Sequence, residues 1–419
     1  MQQIACTVQG PFHLVHPESF TENLLAFQDV LRRHNVQGHV YFGKKANKAG
    51  AWLREIAQLD GRVDVASVPE FVHALGNGLR GDAIGVTGAA KSNDLLWLAA
   101  RHHAIVAIDA LDELERAIEI ARRSTPLKIL LRVLPPMSQD SRFGLTERDL
   151  GLALARCVEA NPNIVMEGFS FHLDGYAVGP RAALAHALIQ KCLDARAMGL
   201  RASAISIGGG IACSFVSEQD WSAFTDSCSP ELFHANKSFP HFYPFFQSPS
   251  GAKMLDAILD SASDEKTLAA RLRSHQIELF LEPGRALLDG AGISAFPVQG
   301  YKQNQDYGIV TVAGLSMSMS AQWVNSEFLP SPRLIQMGPE RPQELTRAAI
   351  GGSSCMEYDI LTWRKVSFEA RPRYGDLILY PNTAGYQMDK NESSFHQLPL
   401  PPKVVVSRRQ ERFVWRIEQ

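Results

Sequence analysis

No Cys-x-x-Cys pair occurs in this chain, and its six cysteines (Cys6, Cys157, Cys192, Cys213, Cys228 and Cys355) are scattered over 419 residues. That spacing suits neither a disulfide framework nor a zinc site; reduced thiols in a cytoplasm and no bound metal are expected. No apolar run approaches the ~20 residues that cross a bilayer. The opening stretch, MQQIACTVQG, lacks the basic-then-apolar order of a secretory signal. An excess of one charge is also missing, with 42 Lys and Arg against 44 Asp and Glu. Neither nucleic acid nor a membrane surface is therefore an expected partner. What is left is a cytoplasmic protein acting on a small molecule.

The chain is 45% hydrophobic and 21% charged, an ordinary globular balance, and is long enough for two cores. From about residue 38 short apolar runs alternate with amphipathic stretches. The runs are GHVYFG, GRVDVAS, DAIGVTG, HAIVAID, LKILLRVLP, IVMEGFSFHLD, ASAISIGGG and IELFLEPG. Their Val, Ile and Leu content suits strands buried on both faces. Between them SNDLLWLAARHHA, LDELERAIEIARRS and RAALAHALIQKCLDARAMG carry helical spacing. Ser67, Pro69, Glu70 and Gly76 mark the start and stop of one helix, and Ser19 with Glu22 reads as a capping box for another.

Eight such units over about 250 residues predict a (β/α)8 TIM barrel over residues 36–290, with a doubly wound open sheet as the alternative. After residue 290 the runs VTVAGLSMS, PRLIQMG, GDLILYPN, KVVVSRR and RFVWRIE have turns but no helices between them. They predict an all-β domain, residues 1–35 and 291–419, that takes in an N-terminal strand. Residues 214–250 form an irregular, aromatic-rich insertion. It reads equally as a cover over a site or as packing against the β domain.

Barrel sites lie at the C-terminal ends of the strands. There the sequence puts Lys44 and Lys45, His172, Gly208-Gly209-Gly210, and Glu282-Pro283-Gly284-Arg285. A glycine run lets backbone N–H groups approach a phosphate. A lysine held near neutral in an apolar site can form a Schiff base. An imidazole can stack on an aromatic ring, and a carboxylate can keep a pyridine nitrogen protonated. Together these needs point to pyridoxal 5'-phosphate.

These motifs resemble the fold-type III pyridoxal-phosphate enzymes, which share the alanine racemase-type barrel, and within them the diaminopimelate and ornithine decarboxylases. YFGKKAN is similar to Y-x-x-K-A-N, RVDVASVPEF to G-x-D-V-A-S-x-x-E, SRFGL to S-K-F-G, and SFHLDGY to S-F-H-V-G-S. GGG and EPGR match outright, GGSSCMEYDIL is similar to G-x-x-C-x-x-x-D-x-L, and NTAGYQM to x-x-A-G-A-Y. The resemblance spans nearly the whole chain and implies a decarboxylase, a carboxy-lyase of amino-acid metabolism. It implies a Schiff base at Lys45, ring stacking by His172, and phosphate contacts from the glycine run, Gly284, Arg285 and Tyr386. It also implies a homodimer with shared active sites, to which Cys355 and Asp359 contribute from the partner, Cys355 as a proton donor. Lys44 is expected to reach solvent or a nearby carboxylate.

Glu282 favours decarboxylation over racemisation or epimerisation, because racemases of this fold carry an arginine at that place. A non-catalytic pyridoxal-phosphate-binding protein is the remaining alternative. The sequence departs from the family where an acidic residue follows the cysteine, which here is Met356 with Glu357 next, and where Asp174-Gly175 replaces glycine-serine. Asp174 and Glu357 are thus candidate substrate contacts. A diamino acid, or a larger conjugate of one such as a citryl-diamino acid, is the expected substrate.

Overall fold

The computed structural model describes residues 1–319, 326–339, 341–389, 392–410 and 412–418. Eight parallel strands close a barrel: β1 (Gly38–Gly43), β2 (Arg62–Val65), β3 (Ile84–Val86), β4 (Ile105–Ile108), β5 (Leu127–Arg132), β6 (Ile164–Ser170), β7 (Ala204–Ser206) and β8 (Glu278–Leu281). All eight fall within the apolar runs read from the sequence. β8 returns to β1 with Leu279 opposite Gly38 and Leu281 opposite Val40. The seam is tight: a Cβ on Gly38 would lie 2.1 Å from the Leu279 carbonyl oxygen, so only glycine fits.

The helices between strands start where the chemistry predicts. Ser67 caps the helix Val68–Gly76, its Oγ accepting from Glu70 N–H at 3.3 Å, and Glu70 Oε2 accepts in return from Ala66 N–H at 2.8 Å. The expected Ser19–Glu22 cap is overturned. Helix Pro17–Arg33 begins three residues earlier, with His16 at the N-cap and Pro17 in the first turn, and Ser19 Oγ bonds His16 Nδ1 at 2.9 Å.

That helix, expected in the β domain, packs on the barrel instead. Its apolar face, Phe20, Leu24, Phe27, Val30 and Leu31, joins the barrel core. Phe20 meets Phe42 of β1 edge-on at 5.1 Å and Trp52 at 5.4 Å. After β8 only a short turn, Arg285–Leu287, precedes the β domain. The ring therefore lacks an eighth helix of its own, and Pro17–Arg33 covers that flank between the helices Gly50–Gln58 and Gly251–Asp260.

The N-terminal strand Phe12–Val15 does join the β domain. It lies between Gly292–Asn304, antiparallel, and Lys403–Arg409, parallel, in a nine-stranded sheet. Strands Gly292–Asn304, Thr346–Gly351 and Ile360–Phe368 add to those expected. The 214–250 insertion packs Phe224, Phe233 and Phe245 into the β-domain core beside Phe296, Ile350 and Phe368. Among the described residues, no helix is long and apolar enough to cross a membrane.

Candidate active site

At the C-terminal end of β1 the chain tightens into a 3-10 turn, Lys44–Ala46, so the two lysines do not alternate as in a strand. Lys44 is buried, 2% exposed, with Nζ 3.5 Å from the Lys48 carbonyl. Burial pushes its pKa down. The expectation that it reaches solvent or a carboxylate fails because the turn folds it inward. Lys45 opens onto a cavity of about 810 Å³ at the barrel mouth, lined also by Arg132, His172, Asp174 and Glu282. Burial opposes its charge, yet Asp64, Tyr386 and Glu282 outweigh it and raise the pKa above the ordinary lysine value. The expected near-neutral lysine is thus an ammonium in this site, because the neighbouring acidic groups outweigh burial.

The rest of the motif anchors the turn. Asn47, fully buried, donates from Nδ2 to the Ala384 carbonyl at 2.8 Å and accepts from Ala49 N–H at 3.0 Å. Tyr386 donates its N–H to the Ala46 carbonyl at 2.7 Å, from a left-handed backbone at φ 72°. The β domain is pinned to the lysine turn by these bonds.

The His172 imidazole lies against the glycine run: a Cβ on Gly208 would be 3.1 Å from Nδ1, and one on Gly209 3.4 Å from Cε1. Burial, then the charges of Lys45, Arg132 and Arg181, push its pKa down to about 4. It is therefore a neutral, flat ring at physiological pH. Glu282 accepts from Ser206 Oγ at 2.7 Å, and its backbone N–H bonds the Gly208 carbonyl at 2.9 Å. Among the described residues the N–H groups of Gly209, Gly210 and Ile211 have no hydrogen-bond acceptor, whereas Gly208 N–H is taken by Ser206 Oγ at 3.2 Å. Three successive unspent donors form a ready anion cradle. Gly210 sits at φ +74°, and a Cβ there would lie 2.5 Å from Arg181 Nη2.

Arg285 follows at the end of β8. Its Nη1 donates to Tyr176 at 2.6 Å and to Tyr243 at 2.7 Å, and its guanidinium lies 5.0 Å from the Tyr386 ring centre. Tyr243 belongs to the 214–250 insertion, so that segment both packs on the β domain and reaches the site. Gly284 keeps the Tyr386 hydroxyl close: a Cβ there would be 3.0 Å from it.

Sequence reasoning missed several neighbours. Asp64 of β2 is buried; its Oδ2 accepts from Thr87 Oγ1 at 2.9 Å and its Oδ1 has no partner. Burial, then Glu282, push its pKa well above the ordinary carboxylate value. A charge inside an apolar run was the available signal. Arg132 pairs with Asp109 at 3.4 Å and lies 4.4 Å from the Phe143 ring centre, which docks the SRFGL loop on the cavity wall.

Cys355, Glu357 and Asp359 do not line this cavity. Cys355 and Glu357 are exposed on the turn after strand Thr346–Gly351. Asp359 is buried, its two oxygens accepting from Ser316 N–H at 2.7 Å and Ser354 N–H at 3.1 Å. In this chain it shapes the turn. Its oxygens are spent on backbone.

The sequence model of the pyridoxal-dependent decarboxylase pyridoxal-binding domain matches residues 18–242. The chain belongs to the pyridoxal-dependent decarboxylase family. It is 32% identical over 401 residues to the uncharacterized protein y4yA of Sinorhizobium fredii (strain NBRC 101917 / NGR234), covering 95% of this chain and 88% of that protein. It is 22% identical over 394 residues to the diaminopimelate decarboxylase of Staphylococcus aureus (strain COL), covering 90% and 82%. The Helicobacter pylori diaminopimelate decarboxylase, solved with L-lysine, has the same fold, with a TM-score of 0.76 at 17% identity over 100% of this chain and 96% of that one.

As in its family, the cofactor is pyridoxal phosphate and the reaction class is amino-acid decarboxylation. The residues present fit that cofactor. An amine faces the cavity, unspent N–H donors suit a phosphate, a neutral imidazole offers a ring face, and a hydrogen-bonded carboxylate can hold a pyridinium proton.

Proposed function

We propose that this decarboxylase removes the α-carboxylate of a diamino acid, or of a larger conjugate of one, in the barrel-mouth cavity. The carrying observation is that, among the described residues, Lys45 is the only lysine that lines the cavity, and Glu282 and His172 line it too. Bound there, pyridoxal phosphate supplies an aldehyde that links to amines and a protonated ring that withdraws electrons from Cα. Lys45 would be the amine that holds the cofactor. His172 supports one ring face, and its neutrality avoids repulsion with a ring that is itself cationic. Glu282, steadied by Ser206, retains the proton on the ring nitrogen. The glycine run, Gly284, Arg285 and Tyr386 hold the phosphate end.

Asp174 lines the cavity and is the carboxylate we assign to the substrate's distal amine. The cavity of about 810 Å³ lies in the upper part of the range for small-molecule sites, roughly 300–1,000 Å³, which supports a substrate beyond a simple diamino acid. Cys355, exposed and outside its own chain's cavity, is the proton donor to Cα from a second copy, with Glu357 beside it. The active unit in this reading is a homodimer.

Carbon dioxide release by the cofactor-loaded protein tests the proposal across L- and D-diamino acids, meso-diaminopimelate and citryl-conjugated diamino acids. Release from a diamino acid or conjugate is expected. Release from none, with a retained carboxylate and inverted Cα, would overturn it in favour of a racemase.

A further inference from the structure

Arg181, in the first turns of helix Val178–Ala197, is 1% exposed. Its guanidinium spends its bonds on carbonyls: Nη1 on Ile207 at 3.0 Å, and Nη2 on Leu173 at 3.4 Å, Gly175 at 3.2 Å and Gly210 at 3.3 Å. Its Nε has no partner. Among the described residues no carboxylate pairs with it. A full charge is thus buried against neutral dipoles, an arrangement that is costly unless an anion completes it. Burial lowers its pKa to about 10, which leaves it charged at neutral pH.

Two of the four carbonyls bracket the glycine run. In a trans peptide the C=O and the following N–H point in opposite directions. Drawing the Gly210 carbonyl toward Arg181 therefore turns the Ile211 N–H, itself an unspent donor, to the opposite side. The other two carbonyls, of Leu173 and Gly175, belong to the loop after β6 that carries His172 and Asp174. One side chain thus ties the ring-stacking loop to the cradle from behind.

We propose that Arg181 is a positioning residue for the cofactor's phosphate, fixing the Ile211 amide at the end of the cradle and supplying the buried charge that the dianion balances. This rests on the reading of the glycine run as the phosphate cradle. The role requires a fork of donors and a positive charge in one side chain, which only arginine supplies.

The test compares dissociation constants for pyridoxal phosphate and for pyridoxal, which keeps the aldehyde and ring but lacks the phosphate. Full-length wild type, Arg181→Met, Arg181→Gln and Arg181→Lys are measured, with thermal melts confirming that each folds. In the two neutral variants pyridoxal phosphate binding is expected to weaken about tenfold or more, and pyridoxal binding less than about threefold. Arg181→Lys, which keeps the charge but not the fork, should recover only part of the preference. If Arg181→Met does not fold, Arg181→Gln against Arg181→Lys decides. Equal weakening of both ligands, or an unchanged preference, overturns the proposal while leaving the cradle intact. A wild type with no preference for the phosphorylated form overturns the cradle as well.

Discussion

Replacing Lys44 and Lys45 singly separates two neighbours whose surroundings are opposite. Lys44 lies folded inward at 2% exposure, and Lys45 faces the cavity. The four methylenes of a fully buried lysine stem contribute roughly 3 kcal/mol at ~0.8 kcal/mol each. Lys44→Ala should therefore lose about 2–3 kcal/mol of stability, reduced by relief of the buried ammonium. Lys44→Met keeps most of the volume and removes the charge, so its stability should lie within about 1 kcal/mol of wild type. The folded pKa of Lys44 is lowered, so the unfolded chain binds the proton more tightly. Stability is then reduced at neutral pH and rises between the lowered value and the ordinary 10.5, a gain that Lys44→Met lacks.

Urea unfolding between pH 7 and 10 reads the stability, and borohydride reduction with peptide mapping reads the cofactor's attachment. Both Lys44 variants should retain attachment and carbon dioxide release, and Lys45→Ala should lose both to background. Attachment mapped to Lys44, or kept in Lys45→Ala, would refute the assignment.

Gly210→Ala places a side chain on a left-handed backbone and against Arg181, and about tenfold weaker cofactor binding is expected by equilibrium dialysis. Mixing Lys45→Ala with Cys355→Ala protein should restore roughly a quarter of wild-type sites if each site draws on both copies, because half of the random dimers carry one intact site. No recovery in the carbon dioxide assay would count against the shared site. His172 and His39, each with a pKa pushed down to about 4 mainly by burial, stay neutral when folded yet protonate near 6.5 when unfolded. The unfolded chain binds more protons in that interval, so the urea midpoint should fall as pH drops from 6.5 toward 4.

The barrel was legible because buried parallel strands read as continuous apolar runs, and each run held its strand. The β domain was legible only in part. Strand Thr346–Gly351 is TRAAIG, too small and alanine-rich to stand out, and Gly292–Asn304 runs through Pro297. At the site, the Lys44-Lys45 pair, His172, Glu282 and the glycine run were read from where strands end, while the choice of Lys45 and the candidacy of Asp174 came from the family resemblance. Lys44 was misread because the strand has already tightened into a turn that folds its side chain inward. Arg181 and Tyr243 gave no signal of their own. An arginine near a helix start reads as solvated, and a tyrosine among phenylalanines reads as packing. Their roles depend on two loops meeting, which local pattern does not encode.

The strand Phe12–Val15 has as its sheet neighbours residues Gly292–Asn304 and Lys403–Arg409. During synthesis it emerges before both, since one partner follows by some 280 residues and the other by nearly 400. The helix beside it, Pro17–Arg33, waits as well, for the flank beyond β8. The nascent barrel therefore passes through a state in which its own beginning hangs loose with an apolar face uncovered. Loss of the last two strands would leave the first strand unpaired on one edge, so damage at the C-terminus should be felt at the N-terminus.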